Sequence, residues 1–150
     1  MLYSAPSCGL ALVEDYPRLL ATPQADVLAR HNKDIHDYVL AILEADPERR
    51  ARLGPVPIRL TYHNPCHFQS RGMGDSVVRL LRLVPGVEVV PIVEDHCCGI
   101  AGTFGMKEKN FHQSMRMGQP LFDSIEATGV GVVATGCGTC KIQIEQGSRL

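Results

Sequence analysis

Five cysteines fall into three groups that could do chemistry together. They are Cys66 in Asn64-Pro65-Cys66-His67, the adjacent pair Cys97-Cys98 before Gly99, and Cys137-Gly138-Thr139-Cys140. A CxxC turn brings two sulfurs to bear on one metal, and the small residues between them permit its tight backbone. Adjacent thiols such as Cys97 and Cys98 are reactive when idle: they oxidise, scavenge metals, and close into a disulfide only with strained geometry. Five sulfurs exceed what a single tetrahedral zinc uses. An iron–sulfur cluster offers several irons and can take more than four thiolates, including one that bridges two irons. Cys66, Cys97, Cys98, Cys137 and Cys140 are therefore the expected metal ligands, with iron–sulfur as the first reading and zinc as the alternative.

Gly99, Gly102 and Gly105 follow the cysteine pair at every third position. Glycines there can adopt positive φ and admit a bulky cofactor, and their N–H groups can donate to its sulfurs, so all three are expected cofactor-binding positions. A phosphate cradle is the competing reading, but neither GxGxxG nor GxxxxGK[ST] occurs and the thiols would go unused. His63, His67 and His96 flank the cysteine groups and are expected to be hydrogen-bonded loop histidines that support the site. Cys8 has no partner cysteine beside it and reads as structural. Met106, Met115 and Met117 read as core packing, and Arg71, Arg79 and Arg82 as surface side chains.

Periodic apolar positions supply the elements that must hold these groups in place. Val56 to Tyr62 and Val87 to Val93 read as short strands, the second ending or edging at Pro91, and Gly131 to Thr135 as a third. Between them helices are expected over 74–83, 107–117, 120–127 and 140–146, with breaks at Gly118 and Gly129. Upstream, 22–45 reads as one long amphipathic helix, capped by Thr22 with Pro23 in its first turn, and 46–55 as a solvated linker. Strands alternating with helices imply an α/β fold: a small parallel sheet with flanking helices. Each cysteine group then follows a strand, and parallel strands end at one edge of the sheet, so the five thiols converge there.

The 150 residues are 45% hydrophobic and 21% charged, which suits a globular chain with a sizeable core. A formal charge of -1 without a long Lys/Arg run argues against nucleic acid as a partner. Apolar runs are short and interrupted by arginine, so no segment reads as a membrane span. The first residues lack the pattern of a secretory signal, and a reducing cytoplasm is the expected compartment. Six cysteines in such a chain favour metal or redox chemistry over a disulfide scaffold.

The order Cys66, Cys97-Cys98-Gly99, Cys137-x-x-Cys140 resembles the cysteine-rich CCG domain. That domain occurs in the B subunit of heterodisulfide reductase, the glycolate oxidase iron–sulfur subunit, lactate-utilisation proteins and the anaerobic glycerol-3-phosphate dehydrogenase C-subunit type. His63-Asn64-Pro65-Cys66-His67, Cys97-Cys98-Gly99-Ile100-Ala101-Gly102-Thr103-Phe104-Gly105 and Thr139-Cys140-Lys141-Ile142-Gln143-Ile144-Glu145 are most similar to the last of these. The resemblance implies a [4Fe–4S] cluster, non-cubane in heterodisulfide reductase. It also implies electron transfer from flavin-containing dehydrogenase subunits toward membrane quinone, with the complex peripheral on the inner face of the cell membrane. No independent turnover is expected. A zinc-stabilised docking module and a thiol/disulfide reductase are the alternatives. Tandem copies of the domain are implied too: Ser7-Cys8-Gly9-Leu10 resembles Thr139-Cys140-Lys141-Ile142, and Ala5 stands where Cys137 would be. Residues 1–53 are accordingly expected to be the tail of a first repeat plus a linking helix, and 54–150 a complete C-terminal repeat, so that the chain resembles a C-terminal fragment.

Overall fold

A computed structural model describes residues 1–149; position 150, where the second expected repeat ends, lies outside the described residues. Its centre is a three-stranded sheet in which β3 (Ile58–His63) lies between β4 (Val87–Val90) and β5 (Val133–Thr135), all parallel. Thr61 is opposite Val90 on one side and Val133 on the other, and its Oγ1 donates to the Val90 carbonyl at 2.8 Å. Leu60 through His63 are all buried, as a central parallel strand covered on both faces requires. A second, two-stranded parallel sheet pairs β1 (Leu2–Tyr3) with β2 (Lys33–Asp34).

Helices join and cover these strands. The chain from β1 to β2 runs through α1 (Pro6–Leu10), a π-helical stretch (Ala11–Asp15), α2 (Tyr16–Leu20) and α3 (Pro23–Arg30). After β2 come α4 (Ile35–Ala45) and α5 (Pro47–Ala51), and after β3 come α6 (Cys66–Gln69) and α7 (Asp75–Leu83). The long α8 (Glu108–Ala127) joins β4 to β5, and α9 (Gly138–Gly147) follows β5. Side chains alternate across the sheet. Tyr62 packs with Phe68 and Val77 on one face, while Val133 packs on the opposite side against Ile100, Leu121, Phe122, Ile125 and Ile144. No helix among the described residues is long and apolar enough to cross a membrane.

The α/β class and the parallel sheet agree with the sequence reading, and β4 is an edge strand that stops just before Pro91. Four expectations need correction. The helix expected over 22–45 is two helices, because Asp34 caps a new one: its Oδ1 accepts from the backbone N–H groups of His36 and Asp37. The expected linker contains α5, capped in the same way by Asp46 on the Arg49 N–H at 3.1 Å. Helix α8 runs through Gly118 and Pro120 without a break. Met106 and Met117 are exposed, and only Met115 of the three packs against the core.

Candidate metal centre

The carboxyl ends of the three central strands deliver the thiols. Beyond β3, Asn64-Pro65 leads directly to Cys66 at the start of α6. The segment after β4 carries Asp95, Cys97 and Cys98. After β5, Cys137 is the extended residue that opens α9 (φ -121°, ψ 116°), which puts Cys140 in the first helical turn. The helix starts two residues before the sequence pattern indicates, so the CxxC turn is the head of α9 itself.

Cys98, Cys137 and Cys140 are buried, whereas Cys66 and Cys97 are exposed. The Cys98 and Cys140 sulfurs lie 3.3 Å apart. A ring nitrogen of His63 and these two sulfurs all lie within 4.8 Å of one another. Cys137 Sγ is 3.1 Å from the Thr139 hydroxyl, and the Gly99 N–H donates to Cys97 Sγ at 3.4 Å.

The proton affinities of these thiols diverge. Hydrogen bonding from Cys140, then Cys97, drives the Cys98 thiol far below its usual value despite burial, and His63 and the Ile100 N–H add to the effect. Cys137 falls to about 5, with Cys140 as the main cause and Thr139 assisting. The cost appears on the donors: Cys98 raises Cys97, while Cys137 and Cys98 raise Cys140. Cys98 and Cys137 are thus pushed toward the thiolate, and Cys97 and Cys140 toward the thiol. Negative sulfur concentrated in a partly buried site is suited to a soft cationic centre, where metal replaces the shared protons.

His63 is almost completely buried. Burial lowers its proton affinity, but the Asp95 hydrogen bond and the Cys98 sulfur outweigh burial and hold it at about 9. Its Nδ1 meets Asp95 Oδ1 at 2.5 Å, and Asp95 Oδ2 accepts from the Asn64 N–H at 2.7 Å. Among the described residues its buried Nε2 has no partner other than the nearby sulfurs. His67 and His96 are different: they sit outside, bonded to Ser7 Oγ at 2.9 Å and to Glu94 at 3.2 Å. The expectation of supporting histidines describes those two, while His63 faces the thiols.

The Cys-Cys-Gly turn is fastened to α8. Gly99 has φ +85°, and a Cβ on it would lie 2.3 Å from the Ser114 carbonyl oxygen; a Cβ on Gly118 would lie 2.4 Å from the Cys98 carbonyl oxygen. Gly105 abuts the Ser114 hydroxyl, and Gly102 (φ +63°) has open space around it. Two glycines of the ladder thus let the turn lie flat on the helix, and the Gly99 N–H also serves a sulfur. Gln143 Nε2 donates to Ser114 Oγ at 2.9 Å, and Ser114 Oγ donates to the Gly99 carbonyl at 2.9 Å. The sequence alone assigns Asp95, Ser114 and Gln143 no role at the site and marks Gly118 only as a helix break; the one local signal is the small pair Ser114 and Gly118, one turn apart on α8.

The thiols and their supports can be placed among known proteins. The chain is 36% identical over 155 aligned residues to the C subunit of the anaerobic glycerol-3-phosphate dehydrogenase of Escherichia coli K12, covering all of this chain and 37% of that protein. It is 31% identical to the B subunit of the fumarate reductase (CoM/CoB) of Methanothermobacter marburgensis, covering 92% of this chain and 26% of that one. Lactate utilization protein A of Geobacillus kaustophilus is 28% identical, with 92% and 58% covered. The chain therefore spans well under half the length of the first two. Residues 60–145 match the family described as CCG, cysteine-rich domain. That span runs from the buried half of β3 into α9 and takes in Cys66, Cys97, Cys98, Cys137 and Cys140; on this match the chain belongs to the CCG cysteine-rich domain family.

Proposed function

We propose that this chain is an electron-transfer module in which Cys66, Cys97, Cys98, Cys137 and Cys140 hold one iron–sulfur cluster of the [4Fe–4S] class. The observation that carries the reading is the convergence of three parallel strand ends on the thiols, with Cys98 and Cys140 only 3.3 Å apart. The residues fit such a group: the donors are soft thiolates, five in number, and the buried Nε2 of His63 beside them has no protein partner. When bound, the cluster supplies a one-electron redox step. The protein holds it by the thiols, donates the Gly99 N–H to Cys97, and shields the inner sulfurs with Ile100, Leu121 and Ile144. Gly102 and Gly105 complete the turn that bounds the site.

Names of the relatives give the setting. One belongs to an anaerobic glycerol-3-phosphate dehydrogenase and another to a fumarate reductase, each as one subunit among others, which supports catalytic partner subunits for this chain. We read those partners as flavin-containing dehydrogenase subunits, with electrons passing through the thiol site toward membrane quinone at the inner face of the cell membrane. Residues 1–53 read as the tail of a first repeat plus a linking helix, and 54–150 as a complete repeat. In support, β1, extended Ala5 and α1 follow the same order as β5, extended Cys137 and α9, with Cys8 in the place of Cys140.

Anaerobic loading with iron and sulfide, followed by iron and acid-labile sulfide analysis and EPR after reduction, tests the reading. Iron and sulfide together support it. Zinc without sulfide would replace it with a zinc-stabilised docking module.

A further inference from the structure

The hydrogen-bonding of His63 carries an inference beyond the thiol ligands, although it rests on the iron–sulfur reading of the same site. His63 is the last residue of the central strand and is almost completely buried, so its backbone is among the most firmly placed in the sheet. Asp95 grips the ring at Nδ1, and Asp95 is itself fixed by the Asn64 N–H. With Nδ1 occupied, Nε2 is the atom left to face the Cys98 and Cys140 sulfurs, and it has no other hydrogen-bond partner. A buried ring nitrogen without a partner is costly, and a sulfur acceptor removes that cost. Asp95 on one side and two sulfurs on the other leave the imidazole an acceptor within reach of each nitrogen.

We propose that His63, oriented by Asp95, donates a hydrogen bond from Nε2 to the Cys98–Cys140 sulfur pair and so raises the reduction potential of the cluster held there. The physical reason is charge. Reduction adds one electron to the thiolate-bound centre with no bond made or broken in the protein, and a donor aimed at its sulfurs stabilises the more negative state. Asp95 lies two residues before Cys97, so one loop carries both the group that orients His63 and two of the ligands.

The test uses the full chain loaded anaerobically, with iron and sulfide measured before any potential. His63→Phe keeps a buried ring but has no donor. At a fixed potential its ratio of reduced to oxidised cluster should fall about tenfold, equivalent to about 59 mV for a one-electron couple. His63→Gln, which restores an N–H, should recover part of that loss. A fully loaded His63→Phe with an unchanged ratio overturns the proposal. Should His63→Phe not fold or load, pulsed EPR of the wild-type chain carrying 15N-labelled histidine decides: a weak histidine coupling of hydrogen-bond size is expected. Absence of coupling, or the strong coupling of an iron-bound nitrogen, overturns the proposal while leaving the cluster reading intact. A wild-type chain that takes up no sulfide overturns both.

Discussion

Replacing Gly118 with alanine tests whether the helix really sets the position of the Cys-Cys-Gly turn. In the middle of a helix such as α8 this change ordinarily stabilises by about 1 kcal/mol. At Gly118, however, the new Cβ would lie 2.4 Å from the Cys98 carbonyl oxygen and 2.6 Å from Cζ of Phe122. Such contacts relax only near about 3.5 Å, so the Cys98 backbone must retreat by about 1 Å. Overpacking of this kind costs roughly 1–3 kcal/mol, and a backbone obstacle puts it at the upper end. After the gain in helix propensity the expected net loss is about 2 kcal/mol. For a chain of 150 residues that corresponds to a fall in Tm of about 4–8 °C. Gly138→Ala is the control, since a Cβ there meets nothing within 4 Å; its effect should stay within about 0.5 kcal/mol. Thermal unfolding of the metal-free, reduced full chain gives both numbers. Because the Cys98 backbone must move while Cys140 stays on α9, iron uptake should fall in the Gly118 variant as well. A Gly118→Ala chain as stable as wild type, or more stable, would refute the packing argument.

Three further outcomes follow from particular contacts. Ser114→Ala removes the acceptor of Gln143 and the donor to the Gly99 carbonyl, both buried, and should cost about 1–3 kcal/mol in urea unfolding. His36 has its proton affinity raised above 6.5 by its hydrogen bond to Asp34, with burial opposing. A raised folded value means the contribution is complete below 6.5 and disappears as pH climbs through the folded value. The stability difference between wild type and His36→Gln, measured by denaturant titration at several pH values, should therefore be largest in mild acid and shrink upward from 6.5. Cys8 is exposed and belongs to none of the three cysteine groups that follow the central strands, so Cys8→Ser should leave iron and sulfide content unchanged.

The placement of the cysteines at one edge of the sheet was legible because each group is local to a strand and the edge is set by topology. Cys66, Cys97, Cys98, Cys137 and Cys140 each follow a strand closely, and a parallel sheet carries all strand ends to one edge. What could not be read depends on contacts between residues distant in the chain. Gly118 looks like a helix breaker because glycine lowers helix propensity, yet here close approach to the Cys98 carbonyl requires it. The split of the 22–45 helix turns on Asp34, an ordinary polar residue until its side chain is seen capping α4. His63 was indistinguishable from His67 and His96 in the sequence, since all three adjoin cysteines; its burial and its pairing with Asp95, 32 residues away, set it apart.

The claim that the gathered thiols hold one iron–sulfur cluster is tested most directly by iron and acid-labile sulfide analysis, with EPR, on the anaerobically loaded wild-type chain and Cys98→Ser. The wild type should contain about four of each per chain, as a [4Fe–4S] cluster requires, with an EPR signal on reduction. Cys98→Ser, which removes the buried sulfur 3.3 Å from that of Cys140, should lose both iron and sulfide while the chain remains folded. Zinc without sulfide in the wild type, or full iron and sulfide in Cys98→Ser, would contradict the claim.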